Sequence, residues 1–177
     1  VRRALFIPPF DELAEPAVLV ELAVAAEEAG WDGVFLWDHI LRADPPRPIA
    51  DPWVAMAAMA MVTTTLRIGA LVTPLVRRRP AKLAREIVTL DRLSRGRLVV
   101  GLGLGVDSGR ELSAFGELVD ERARGDLLDE GLELLVAMLS GEEVTFRGEH
   151  FVADRVTLLP APLQQPHPPM WMATRTM

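Results

Sequence analysis

The sequence predicts an α/β fold built on a parallel β-sheet. Short apolar segments begin near residues 4, 33, 67 and 97, so they recur about every 30 residues, the length of a strand–helix–strand unit. Each segment is continuously apolar, as in strands buried on both faces, and does not alternate between apolar and polar residues. The segments between them carry apolar residues at helical spacing. These observations together indicate parallel strands joined by right-handed crossover helices.

The repeat defines the individual strands and helices. Proline occupies the favoured first position of three helices, at Pro16, Pro52 and Pro80. The helix over residues 52–64 is apolar nearly all round, which predicts that it is covered on several sides. The first helix stops at Gly30 and the third at residues 94–96, where glycine favours termination. Strands are predicted at residues 4–7, 33–37, 66–72, 97–104 and 170–173.

The pattern changes between the fourth and fifth strands. A helical piece is predicted over residues 108–116, a longer helix over 126–139, and a small hairpin from strands at 144–146 and 150–152. We interpret residues 1–177 as a single domain in which residues 105–169 form an insertion-like region of helices and hairpin.

Composition excludes several classes of function. The 177 residues include 19 Lys and Arg against 25 Asp and Glu, a balance that disfavours binding to nucleic acid through its phosphates. The chain contains no cysteine, so it forms no disulfide and no zinc–thiolate site. No apolar run is long enough to cross a membrane, and no signal peptide is evident. We expect a cytoplasmic protein with no nucleic-acid or membrane partner.

Candidate site residues follow from position, because sites in parallel α/β folds form at the carboxyl ends of the strands. The second strand ends at Asp38 and His39, and imidazole suits proton transfer near neutral pH, which makes His39 the candidate catalytic residue. The alternative is a loop histidine that hydrogen-bonds only to the backbone. Neighbouring side chains on a strand point to opposite faces, so Asp38 is not expected to orient His39.

Other strand ends leave alternatives open. The glycines at 101, 103 and 105 do not match the dinucleotide-binding fingerprint, and they either relieve crowding in the sheet or let a flat ring lie against the backbone. We favour the ring. We interpret Arg77, Arg78 and Arg79 as a solvated charged face, with contact to an anionic cofactor as the alternative.

Several apolar and potential metal-binding residues have simpler interpretations. The methionines at 56, 59 and 61 are interpreted as core residues. Trp37 and Trp53 fit either a pocket wall or the core. No histidine or acidic pair has the spacing of metal ligands, so no metal is expected, and His150 and His167 are interpreted as structural.

Several segments resemble the bacterial luciferase-like flavin monooxygenase family. They include AAEEAGWDGVFLWDH at residues 25–39 and DPWVAMA at residues 51–57. The most specific are LRIGALVTPL at residues 66–75 and LDRLSRGRLVVGLG at residues 90–103. Further matches lie at residues 129–133, 148–151 and 168–172, so the resemblance extends over essentially the whole chain in order.

The resemblance implies a TIM-barrel fold of the (β/α)8 type, of which this chain supplies about the first five strands. It also implies an oxidoreductase or monooxygenase, a flavoprotein that transfers hydride or oxygen to a small organic substrate. The implied cofactor is FMN or the 8-hydroxy-5-deazaflavin coenzyme. NAD(P)H as co-substrate, a separate flavin reductase and a homodimer belong to the same set of expectations.

The family motif also assigns residues. His39 corresponds to a histidine that handles protons beside the ring, and Asp38 is assigned with it to cofactor binding. The segment formed by Leu71, Val72 and Thr73 corresponds to a bulge or cis peptide that supports the ring. The remaining cofactor-binding candidates are Gly103 and Gly105 beside the ring, and Thr174 and Arg175 near its phosphate. Relatives that oxidise sugar phosphates carry an acid where this chain has Val106.

Length leaves two alternatives open. A complete barrel takes about 250 residues, so five strands would leave two open sheet edges and an exposed apolar lining. The chain would then be a truncated, catalytically inactive flavin-binding protein. The other alternative is an unrelated TIM-barrel enzyme, but Lys82, the only lysine, lies within a predicted helix and does not suit Schiff-base chemistry.

Overall fold

The computed structural model describes residues 1–42 and 45–173, and its centre is a five-stranded parallel sheet. The sheet order is β1-β2-β3-β4-β7, and every neighbouring pair is parallel. The predicted parallel α/β architecture is therefore confirmed. The strands are β1 (Ala4–Ile7), β2 (Gly33–Leu36), β3 (Arg67–Pro74), β4 (Leu98–Gly103), β5 (Glu143–Arg147), β6 (Val152–Thr157) and β7 (Met170–Met172), of which β5 and β6 form a separate antiparallel hairpin.

Four helices connect the strands: α1 (Pro16–Glu28), α2 (Pro52–Val62), α3 (Pro80–Leu93) and α4 (Glu121–Leu139). Proline stands in the first turn of α1, α2 and α3, as the sequence predicts. The carboxylate of Asp51 caps α2 by accepting a hydrogen bond from the backbone N–H of Val54 at 2.9 Å. Each helix contacts the next, so the four helices form one layer against the sheet.

The core lies between this helical layer and the sheet. Every residue of β2 and β4 is buried, as continuous apolar strands predict. Leu36, Ile68 and Leu102 of the sheet and Met56 and Met59 of α2 are fully buried. The carboxyl ends of β2, β3 and β4 are therefore held side by side at one edge of a rigid sheet.

The region between β4 and β7 differs from the prediction. Residues 108–116 form only a short 3₁₀ turn, Ser113–Phe115, while α4 begins five residues earlier than predicted because Asp120 caps it. The second hairpin strand begins at Val152. The backbone N–H groups just before it, from residue 149 to residue 151, donate to the carboxylate of Glu130 and cannot join the ladder.

The prediction that α2 is covered on several sides is confirmed, because α1, α3 and β3 all contact it, but the cover is incomplete. Val54 and Met61 are 69% and 66% exposed, so one apolar face of this helix is open in the described chain. Met61 accordingly does not belong to the core, unlike Met56 and Met59.

The sheet does not close into a barrel within the described residues. β1 and β7 are its two edges, and Phe6 and Trp171 on these edges are 53% and 49% exposed. The face opposite the helices is concave and carries an apolar cavity of about 540 Å³ toward the amino ends of the strands. None of the four described helices is both long enough and apolar enough to cross a membrane.

Candidate active site

A second cavity, of about 630 Å³, lies on the same concave face where β2, β3 and β4 end. This volume falls within the range of small-molecule sites, about 300 to 1,000 Å³. Its lining residues come from within or just after the strands of the sheet, among them His39 after β2, Leu71 and Val72 in β3, Gly105 after β4 and Ala173 after β7. The cavity thus lies at the carboxyl ends of the strands, where the sequence analysis expects the site.

The β3 wall of the cavity has an irregular backbone. The peptide bond between Leu71 and Val72 is cis, and the pairing of β3 with β4 shifts register between Ala70 and Thr73. The resemblance implies such a bulge or cis peptide in this segment. It lies within β3, which continues to Pro74, and it brings Leu71 and Val72 to the cavity surface.

His39 forms a pair with Glu111, a residue that the sequence analysis missed. The Nδ1 atom of His39 lies 2.7 Å from Oε1 of Glu111. The other carboxylate oxygen, Oε2, accepts hydrogen bonds from the backbone N–H of Ile40 at 3.1 Å and from Nη1 of Arg77 at 2.9 Å. Since Nδ1 is engaged by the carboxylate, Nε2 is the ring nitrogen left for the cavity that His39 lines.

Glu111 is charged in this setting. Burial alone would raise its pKa, but hydrogen bonds from His39 and from the Ile40 N–H, together with the charges of His39 and Arg77, lower it below the ordinary value. An ionised carboxylate can only accept hydrogen bonds, so it favours a proton on Nδ1 of His39. No sequence motif marked Glu111, which lies 72 residues from His39 in a loop; its one signal was an acidic side chain after a strand end.

Asp38 belongs to a buried ionic network behind His39. Its carboxylate pairs with Arg77 at 3.1 Å and with Arg78 at 3.0 Å. It also accepts hydrogen bonds from the Trp53 indole N–H at 3.2 Å and from the Thr73 hydroxyl at 2.8 Å. Asp38 makes no hydrogen bond to His39, as predicted, but alternation along a strand is not the reason, because β2 ends at Leu36 and both residues lie beyond it.

The interpretation of the three arginines as a solvated face is wrong for two of them. The side chains of Arg77 and Arg78 are only 5% and 18% exposed, and both turn inward to Asp38. Arg79 alone is exposed. The reason is electrostatic, since Asp38 and Glu111 are buried carboxylates that need cationic partners.

Packing accounts for the glycines at the end of β4. A Cβ atom on Gly101 would lie 2.3 Å from the carbonyl oxygen of Ala70, and one on Gly103 would lie 2.9 Å from Cγ2 of Val72. Gly105 has a φ of +69°, which side chains rarely adopt. Relief of crowding, the alternative we did not favour, is thus sufficient at Gly101 and Gly103.

The structure brings together only part of the predicted site. Asp38, His39, Leu71, Val72 and Gly105 all line the cavity. Thr73 and Gly103 are buried and lie outside its lining. Thr174 and Arg175 lie outside the described residues. The described residues contain no group of three or more histidine or acidic side chains placed to hold a metal ion.

The sequence matches a known protein family and curated relatives. The family of luciferase-like monooxygenases matches residues 6–177, nearly the whole chain. The chain is 34% identical over 151 residues to the F420-dependent glucose-6-phosphate dehydrogenase of Nakamurella multipartita, a match that covers 83% of this chain and 44% of the relative. The chain therefore spans less than half the length of that relative.

Solved structures of other proteins have the same fold as this chain. Monooxygenase RslO1 from Streptomyces bottropensis superposes with a TM-score of 0.82 at 30% identity, over 98% of this chain and 54% of that protein. An F420-dependent secondary alcohol dehydrogenase, solved with an F420–acetone adduct, superposes with a TM-score of 0.84 at 27% identity, over 97% of this chain and 51% of the other. The names of these relatives give no support to NAD(P)H as a co-substrate. The chain belongs to the luciferase-like monooxygenase family and has its TIM-barrel type of α/β fold, here as an open five-stranded part of the barrel.

Proposed function

We propose that this chain carries the cofactor and proton-transfer site of a flavin- or deazaflavin-dependent oxidoreductase that acts on a small organic substrate. The observation that carries the proposal is the cavity at the strand ends, where His39 and the Leu71–Val72 segment line the same space. Two relatives are F420-dependent, which favours the deazaflavin F420, and FMN is the alternative that the family resemblance implies.

The residues present fit such a cofactor. The cavity walls are largely apolar, with Leu71, Val72, Leu104 and Val106 among the lining, as a flat tricyclic ring requires. Leu71, Val72 and Gly105 would hold the ring against the sheet edge. When bound, the cofactor supplies hydride or oxygen transfer to the substrate.

The role of His39 is to move the accompanying proton at Nε2. Glu111 fixes the proton of the neutral imidazole on Nδ1 and stabilises the imidazolium when Nε2 gains a proton. Arg77 ties Glu111 to Asp38, so the ends of β2 and β3 and the loop after β4 keep one geometry during turnover.

The test is a titration of the protein with FMN and, separately, with F420, followed by absorbance of the cofactor. We expect one of them to bind with a changed spectrum. Val106→Trp narrows the cavity and should weaken that binding by about tenfold or more, whereas Val119→Trp, at an exposed position outside the lining, should leave it unchanged. Absence of binding for both cofactors, or equal effects of the two variants, would reject the proposal.

A further inference from the structure

One side of the active-site cavity is an aromatic wall, which we define as Phe6, Trp37 and His39, backed by Phe10. The Trp37 ring centroid lies 5.5 Å from that of Phe6 and 5.6 Å from that of His39. Phe10 meets both Trp37 and His39 edge-on, at 6.0 and 5.7 Å. These separations are typical of interacting aromatic rings, so the four side chains hold one another in place.

The indole N–H of Trp37 is buried and has no hydrogen-bond acceptor among the described residues. Trp53 differs, because its indole N–H donates to Asp38 and to Thr73 at 3.2 and 3.0 Å and thereby joins the buried network. Trp37 therefore lines the cavity with its ring and not with a polar group. Phe6 lies next to it and is 53% exposed.

The charges beside the aromatic wall do not favour an anionic substrate at that place. Arg77 and Arg78 are paired with buried carboxylates, and Arg124 donates to the backbone carbonyl groups of residues 104 and 105. Among the described lining residues, His39 is the only one that can carry a positive charge, and it already faces the Glu111 carboxylate. Glu121 also lines the cavity, and its carboxylate lies 3.8 Å from Nη2 of Arg124, so this arginine too is paired and adds no free positive charge.

We propose that the substrate of this site is a neutral aromatic compound that stacks on the aromatic wall beside His39. This rests on the proposed function, because His39 must exchange a proton with the molecule on that wall. The wall supplies ring faces and edges, the arginine charges are already paired, and the one mobile proton lies at the end of the wall, on His39. A sugar phosphate, the substrate named for the Nakamurella multipartita relative, has no aromatic ring and is anionic, so this wall would not favour it.

The test compares three probes on the cofactor-loaded protein by NMR of the indole N–H signals: 2-naphthalenemethanol, its fully saturated decahydro counterpart, and glucose 6-phosphate. We expect the aromatic alcohol to bind roughly threefold to tenfold more tightly than the saturated one, the preference that ring–ring contacts typically give. Trp37→Leu should remove this preference. Trp31→Leu is the control, since Trp31 contacts Arg3 and lies outside the cavity lining.

Equal binding of the two alcohols, tighter binding of glucose 6-phosphate, or a preference that survives Trp37→Leu would each overturn the inference. If Trp37→Leu fails to fold, Phe6→Leu carries the same test, because Phe6 is half exposed and its truncation leaves no cavity in the core. Cofactor absorbance is recorded in the same samples. Absence of cofactor binding by the wild-type protein would contradict the proposed function. Cofactor binding by the wild-type protein without a preference for the aromatic alcohol would contradict only this inference.

Discussion

The carboxylate of Glu111 uses its two oxygens for different purposes. Oε2 accepts two hydrogen bonds, from the Ile40 N–H and from Arg77, while Oε1 faces Nδ1 of His39 alone. This asymmetry has a consequence for an amide at the same position. The amide oxygen would turn toward the two donors, and the amide NH2 would then face the imidazole.

We therefore predict that Glu111→Gln reverses the tautomer of His39. With an NH2 group opposite Nδ1, the neutral ring must carry its proton on Nε2, so Nε2 can no longer accept a proton. The measurement is the ¹⁵N chemical shift of the two ring nitrogens of His39. Glu86→Gln is the control, because Glu86 pairs with Arg78 and Lys82 and does not contact His39. An unchanged Nδ1–H tautomer in Glu111→Gln would show that Glu111 does not set the proton position.

The sequence predicted His39 at the site but not Glu111. His39 follows directly from a strand end, which is a local pattern. Glu111 depends on where an irregular loop returns after β4, a long-range contact that no local spacing encodes. The inward turn of Arg77 was missed for the same reason, since its partners lie 34 and 39 residues away.

At the scale of elements, three carboxylates fasten segments together by accepting backbone N–H bonds. Glu27 at the end of α1 accepts from Thr64, Thr65 and Leu66, where the chain enters β3. Asp91 in α3 holds the segment before β7 in the same way, and Glu130 in α4 holds the hairpin turn. These contacts fix how helices meet the sheet.

Replacement of Glu27 should show a pH-dependent loss of stability. Burial opposes ionisation, but the backbone hydrogen bonds of Thr65, Leu66 and Thr64 outweigh it and lower the pKa of Glu27 to about 2. A lowered pKa stabilises the fold fully above the ordinary value near 4.5, and this contribution is lost as the pH falls toward 2.

Glu27→Gln should therefore cost about 1 to 2 kcal/mol at pH 7, allowing for solvent exposure. The difference from wild type should shrink below pH 4.5. Urea unfolding at several pH values measures it, with the exposed neighbour Glu28→Gln as the control. A difference that is independent of pH would exclude the charge of Glu27 as the cause.

The close approach of β3 and β4 gives a second prediction at this scale. Gly101→Ala places a methyl group 2.3 Å from the carbonyl oxygen of Ala70. Because the contact is with backbone, relieving it requires the strands to shift. We expect a loss of about 1 to 3 kcal/mol in unfolding free energy. Gly125→Ala in α4 has nothing within 4 Å of the added carbon and should instead gain about 0.5 to 1 kcal/mol. Equal effects of the two substitutions on the thermal midpoint would contradict this packing.

Element bounds were predictable where proline, glycine and apolar spacing agree, as in α1 and α3. The failure at residues 108–116 has a physical cause. The Asp107 carboxylate accepts the backbone N–H bonds of Leu112 and Ser113, which organises a loop in place of a helix.

At the scale of the whole molecule, the fold is an open part of a barrel, with one cavity at the carboxyl ends of β2, β3 and β4. The strand–helix period was enough to predict the parallel sheet. It could not predict the concave cavity, which depends on the curvature of the sheet and on the register shift in β3.

We expect His39 to face the cofactor at these strand ends. The most direct test is imidazole NMR of the protein, which contains three histidines, during titration with F420 or FMN. We predict that the ring signals of His39 shift with cofactor binding while those of His150 and His167, outside the cavity lining, stay in place. Saturating cofactor with unchanged His39 signals would contradict the account.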